Sequence, residues 1–297
     1  MTGRVHALRC LPLAALGFAL ACTAERPARE PATILFLTDF GVRDGAVAVC
    51  KAVMWSIEPR LRIVDLTHQV PPYDVEAAAE VLEQALPFYP PATVTVAVVD
   101  PGVGGERKSI AVLTKKGHLL VGPDNGIFTL VLESEGLDRA VELREKRFFR
   151  PGETSFTFHG RDLFSPVAAH LARGMSIDSL GPPVVPKRLS VRLARRHGGG
   201  IDGSVRYIED PYGNVVTNIP GALLDSLGAR VGDSLDARIG ARSLRLPWRH
   251  TFSDVAHAEA LAVMHERGLL SFSINMGDFA TKYGVKRDDS VSVRRAP

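Results

Sequence analysis

Apolar and polar positions divide the 297-residue chain into two halves of different rhythm. The first half carries short, nearly unbroken apolar runs: Thr33–Thr38, Leu61–Leu66, Thr93–Val99, Ser109–Thr114 and Leu119–Val121. Unbroken runs of strand length suit strands buried on both faces. Helical periods lie between them, over residues 45–57 and 75–86, and Asp74 is placed to cap the second. Another helix is expected to start near Gly160 and to close by Gly174. Strands alternating with helices in this way predict an α/β domain with a mostly parallel sheet flanked by helices.

Pro182, Pro183 and Pro186 then break the pattern, and Gly198-Gly-Gly200 marks a fresh start. Beyond it the segments are short and strand-like, at 205–208, 214–217, 237–239, 260–264 and 270–274, with one short helix near 278–283. The expected organisation is an N-terminal domain over 32–186, a linker over 187–200 and a smaller β-rich, barrel-like domain over 201–297.

The apolar fraction of 45% is enough for substantial cores, and a formal charge of +3 leaves no nucleic-acid footprint. The basic run from Lys187 to Arg196 reads as a solvated linker. Arg4 and Arg9 precede an apolar stretch, Cys10–Ala21, that is too short to span a bilayer. With small residues at Ala19-Leu-Ala21, this predicts a signal peptide over 1–21, a tail over 22–31 and an exported protein. Cys22 directly after the cleavage point also admits lipidation, so the exported protein is expected to be periplasmic or lipid-anchored at the cell envelope; a misassigned start codon would instead leave it cytoplasmic. Cys50 is then the remaining cysteine; it lies on the apolar face of a helix and reads as core.

Candidate chemistry gathers where strands end. Asp39 closes the first run in Leu37-Thr-Asp-Phe-Gly41, where a carboxylate can accept ribose hydroxyls or simply cap a turn. Asp100 leaves the third strand, and Gly102-Val-Gly-Gly105 can turn the chain so that Arg107 faces it. Arg107 stands where phosphate-loop and dinucleotide patterns need glycine, so neither applies. His159 sits in Phe158-His-Gly-Arg-Asp162 with no second histidine or cysteine at ligand spacing, which argues against a metal site. Glu209-Asp-Pro-Tyr-Gly-Asn214 fits either a plain hairpin turn or a site for a zwitterion.

Taken in order, these segments resemble the S-adenosylmethionine (SAM) hydroxide adenosyltransferase family, related to the SAM-dependent fluorinase and chlorinase. The carriers are Leu37–Gly41, Asp65–His68, Val99–Gly104 with Arg107, Pro123–Gly126, Phe158–Asp162, Tyr212–Asn214 with Thr217-Asn218, and Ile274–Gly277. The resemblance implies hydrolysis of SAM to adenosine and L-methionine, with Asp100, Arg107 and His159 as the catalytic set and neither cofactor nor metal. It places Asp39, Asp44, Tyr73, Thr157 and Phe158 at the nucleoside side of the substrate, Glu209 and Asn214 at the methionine end, and Phe252, Arg267 and Met276 near adenine. It also implies a homotrimer with each site between subunits. The halogenase pattern has tyrosine in place of Asp100 and serine in place of Gly160. Glu209 departs from the family's usual Asp, and Ala46 from a hydroxyl residue. A SAM-dependent halogenase and a non-catalytic, exported nucleoside-binding protein are the alternatives.

Overall fold

The computed structural model describes residues 30–190 and 192–297. The expected signal peptide and Cys22 lie outside the described residues.

In the first half, β1 (Ile34–Thr38), α1 (Ala46–Ile57), β2 (Ile63–Thr67), α2 (Val75–Ala85), β3 (Val94–Val98), β4 (Ser109–Thr114) and β5 (Leu119–Pro123) follow the apolar runs closely. The chain continues through α3 (Thr129–Glu135), β6 (Leu137–Glu142) and α4 (Ser165–Ala172). The strands form one sheet in the order β2-β1-β3-β5-β4-β6. The pairs β1–β2, β1–β3 and β3–β5 are parallel, while β4 runs against both of its neighbours. Side chains alternate across β1: Ile34 and Phe36 join the core under α1 and α4, whereas Leu35 and Leu37 join the core under α2. Asp74 caps α2 as expected, accepting from Ala77 N at 2.8 Å. Cys50 is fully buried beneath α1, and burial pushes its thiol up to about 11.

In this half two elements escaped the sequence reading, α3 and β6. The α3 segment, Thr-Leu-Val-Leu-Glu-Ser-Glu, is buried along most of its length and has no polar face to reveal a helical period. The helix expected from Gly160 is present but opens with a π-helical turn, Gly160–Phe164, before α4. Pro166 supplies the reason. It has no N–H to give to Asp162 O four residues back, so that carbonyl instead accepts from Arg150 N at 2.9 Å.

The second half contains β7 (Arg195–His197), β8 (Gly200–Glu209), β9 (Asn214–Pro220), α5 (Gly221–Ser226), β10 (Ser234–Ile239), β11 (Arg242–Arg249), β12 (Ala260–Met264), β13 (Leu269–Ile274), α6 (Phe279–Tyr283) and β14 (Ser290–Arg295). Pairing of β14 with β8 closes seven strands into a barrel, with the short β7 added to β8 outside the ring. Ile201, Leu235, Trp248, Phe272 and Phe279 fill it. The segment expected as a solvated linker keeps its basic side chains exposed, while parts of its backbone are tied into the fold. Lys187 N donates to Asp124 Oδ1 at 2.7 Å, Leu189 N to Thr129 Oγ1 at 2.8 Å, and residues 195–197 form β7. Barrel arginines also reach the acidic side of α2: Arg206 pairs with Glu80 (3.3 Å) and Glu83 (2.5 Å), Arg287 with Asp74 (2.8 Å), and Arg267 with Glu83.

Candidate active site

The strand order places β1 between β2 on one side and β3 on the other, so the chain reverses its winding direction between β1 and β3. A crevice opens at such a switch point, beyond the carboxyl ends of the strands. Thr38 pairs with Val98 at that end, so Asp39 and Asp100 leave neighbouring strands side by side.

Asp100 and Arg107 are joined by the tight turn between them. Arg107 Nε lies 2.9 and 3.0 Å from the two Asp100 oxygens, and Nη2 also donates to Oδ2. Nη1 donates to Ser109 Oγ at 2.8 Å. Nη2 also lies 2.7 Å from Nδ1 of His159, which comes from the loop ahead of α4. Arg107 therefore stands between the carboxylate and the imidazole and holds both. The Asp100 and Arg107 side chains are only 5% and 8% exposed, and the guanidinium lies 5.5 Å from the centre of the Phe164 ring. A pair so shielded is stronger than one in water and less screened by salt.

The contact defines the histidine tautomer. A guanidinium can only donate, so Nδ1 of His159 accepts and the proton of the neutral ring sits on Nε2. Burial, and after it the positive charge of Arg107, lower the imidazole below its ordinary range. The half-buried ring thus keeps an N–H donor on Nε2, with Arg107 between it and the Asp100 carboxylate.

Two loops are locked together to build this arrangement. Gly104 has φ +75°, and a Cβ there would stand 2.2 Å from Phe156 O, so only glycine lets the Asp100–Arg107 turn approach the His159 loop this closely. Asp162 fastens the other side of that loop. Its Oδ1 accepts from Arg150 Nε (2.5 Å) and Arg161 Nε (2.7 Å), and its Oδ2 from Ser155 N (2.8 Å) and Arg161 Nη2 (2.9 Å). Burial works to raise the Asp162 carboxyl, but the hydrogen bonds from Arg161 and Arg150 outweigh it and hold the group well below its usual range.

The other expected site residues fall into two groups. Asp39 Oδ2 accepts from Tyr73 N at 2.9 Å, and Tyr73 is exposed with φ 67°. The Phe158 ring packs edge-on against Phe40, 5.7 Å between centres, and Thr157 is exposed on the same loop. Asp44 is exposed and accepts from Ala46 N (2.9 Å) at the start of α1. The second group is on the barrel. Glu209 and Asn214 face each other across the β8–β9 turn, with Asn214 Nδ2 donating to Glu209 Oε2 at 2.9 Å. Phe252 and Met276 are exposed, while Arg267 is held against Glu83. Among the described residues, no hydrogen bond or ion pair joins Glu209, Asn214, Phe252 or Met276 to Asp39, Asp100, Arg107 or His159. The sequence reading missed Ser109, Asp162's clamp on Ser155, and His68, whose Nδ1 lies 2.9 Å from Thr38 Oγ1 just below Asp39. The Asp65–His68 segment did carry a signal for the last of these.

Two family models match the chain: the SAM hydroxide adenosyltransferase N-terminal domain over residues 34–181 and the corresponding C-terminal domain over 203–292. The chain is 41% identical over 268 residues to an "(R)-S-adenosyl-L-methionine hydrolase" from Salinispora tropica, covering 88% of this chain and 97% of the relative. It is 29% identical over 301 residues to a fluorinase from an Actinoplanes species, covering 91% of this chain and all of the relative. A crystal structure of an uncharacterized conserved protein from Thermotoga maritima superposes with a TM-score of 0.84 at 37% identity, covering 88% of this chain and 100% of that one.

Proposed function

Because the chain belongs to the SAM hydroxide adenosyltransferase family, we propose that it hydrolyses S-adenosyl-L-methionine to adenosine and L-methionine. The observation that carries this reading is Arg107 bridging Asp100 and His159 at the switch-point crevice. The names of the relatives point to the R epimer at sulfur as the substrate.

Water attacks C5′ of the ribose in line with the sulfonium. The C5′–S bond breaks with its electron pair going to sulfur, so methionine leaves as a neutral thioether and needs no acid. The water proton passes to Asp100 and then to solvent, giving one proton per turnover. His159 Nε2–H donates to the water oxygen and orients it, because Nδ1 is occupied by Arg107. This makes Asp100 the base and His159 the orienting donor. Arg107 places the carboxylate and favours hydroxide character as negative charge builds on the oxygen. Asp39 takes the ribose hydroxyls, beside Tyr73, Asp44, Thr157 and Phe158; Glu209 takes the ammonium and Asn214 steadies it. Attack of an oxygen nucleophile on a sulfonium neutralises charge, so a dry crevice accelerates it with no metal or cofactor.

Glu209, Asn214, Phe252, Arg267 and Met276 complete the site of a neighbouring copy in a homotrimer. The lack, among the described residues, of any hydrogen bond or ion pair between Glu209, Asn214, Phe252 or Met276 and the Asp100–Arg107–His159 group supports this. The mature protein works outside the cytoplasm, either free or held by lipid on Cys22.

Gly160 favours water over halide. A Cβ at this position would lie 2.9 Å from Phe40 Cζ, so the serine of the halogenase pattern does not fit without displacing that ring. Incubation with SAM and either chloride or fluoride, followed by chromatography, tests the proposal. Adenosine with stoichiometric proton release is expected. A 5′-halo-5′-deoxyadenosine would move the chain to the halogenase branch, and unchanged SAM would leave a nucleoside-binding protein.

A further inference from the structure

We propose that His265 is a positioning residue for the methionine end of the substrate, aiming the Glu209 carboxylate that receives the ammonium. The inference rests on the hydrolase reading above and deepens it.

His265 opens the turn between β12 and β13, and its backbone is tied at both ends. Its N–H donates to Leu269 O at 2.8 Å, and its carbonyl accepts from Gly268 N at 2.8 Å. The ring is therefore carried on a closed hairpin turn rather than on a loose loop. Arg267 N donates to Nδ1 at 3.2 Å. A backbone N–H can only donate, so Nδ1 accepts and the ring proton sits on Nε2. Nε2 lies 3.0 Å from Glu209 Oε1, while Asn214 Nδ2 lies 2.9 Å from Oε2. Each carboxylate oxygen thus has one donor from the protein and keeps a lone pair free for an ammonium. The Tyr207 ring meets His265 edge-on, 6.1 Å between centres.

The chemistry explains why a second support is needed here. Glutamate has one more rotatable bond than aspartate, so an unsupported carboxylate in this place samples several positions. Asn214 alone pins one oxygen and leaves the group free to swing about it. His265 removes that freedom, and its effect should be confined to the amino-acid portion of the substrate.

The test compares His265→Ala and His265→Gln with wild type in the full-length protein. It reads kcat and KM for SAM, together with inhibition by methionine and by adenosine separately. For His265→Ala, KM should rise about tenfold, the scale of one hydrogen bond to a charged group, and kcat should change less than about threefold. Inhibition by methionine should weaken in parallel, and inhibition by adenosine should stay within about twofold. Glutamine places an N–H at nearly the same reach and should restore most of the KM. Unchanged KM in His265→Ala, equal weakening of adenosine and methionine, or no rescue by glutamine would each overturn the assignment. Wild-type protein that leaves SAM intact refutes the hydrolase reading itself, and this inference with it; normal wild-type turnover with any of the three results above refutes the inference alone.

Discussion

Replacing Asp100 by Asn keeps the shape of the side chain and removes its charge and basicity. In the proposed reaction this eliminates the proton acceptor, and loss of a positioned base costs about 10²- to 10⁴-fold in rate. That corresponds to about 3–5 kcal/mol in the barrier. The same change leaves the shielded Arg107 guanidinium facing a neutral amide. Breaking a buried pair costs about 3–5 kcal/mol of stability, and the low end applies because Ser109 Oγ and His159 Nδ1 still accept from Arg107. The variant should therefore fold, melt lower and turn over slowly. Adenosine formation at saturating SAM, measured well below the variant's melting temperature, separates the two effects. His159→Ala removes an orienting donor and should cost less, about 10- to 100-fold, as one hydrogen bond to a charged group does. If His159→Ala is the more damaging change, or Asp100→Asn keeps more than a tenth of the activity, the proton does not go to Asp100.

Three further outcomes follow from the same contacts. Burial and the Arg107 charge lower the His159 imidazole, so kcat should hold steady through neutral pH and fall only below the ordinary imidazole value of about 6.5; an inflection above that value, or one that survives in His159→Asn, contradicts the role given to the ring. Asp162 has a depressed carboxyl, so its contribution is complete above the unfolded value of about 3.9 and is lost as pH falls through the lower folded value. Asp162→Ala should accordingly lose about 3–5 kcal/mol in urea unfolding at neutral pH, with a deficit that narrows in strong acid; a constant deficit would show that the ion pairs are not its source. Gly104→Ala puts a methyl group against Phe156 O at a positive φ and should cost about 1–3 kcal/mol together with turnover, whereas a normal melting curve and rate would show that the two loops do not depend on this approach.

The central strands could be read directly from the residues because burial on both faces leaves β1 and β3 almost wholly apolar, with Thr38 and Thr95 as their single polar residues. Cys50 was legible for the same reason. Asp100 and Arg107 were legible as a pair because a glycine-rich turn of known reach joins them. Their link to His159 spans 52 residues, and only the resemblance to a family brought that residue to them. The π-helical turn was not visible because its cause is a missing donor at Pro166 combined with a carbonyl claimed by Arg150, a contact between two loops. The barrel was harder still. Its closure depends on β14 meeting β8 across 88 residues at Val291 and Gly203, and β10, β11 and β14 mix apolar with basic positions. The backbone contacts of the expected linker were not legible, because its N–H groups find partners on Asp124 and Thr129, which a charge count cannot reveal.

Cys50 gives the fold an internal recorder. Its thiol is fully enclosed and held protonated, so alkylating reagents cannot reach it or find it as thiolate until the layer formed by α1 and α4 parts. Among the described residues it is the only free cysteine, and α4 follows directly from the turn that begins next to His159. The rate at which a peptide containing Cys50 takes up label therefore clocks how often the ground beneath the His159 loop gives way, with no residue changed.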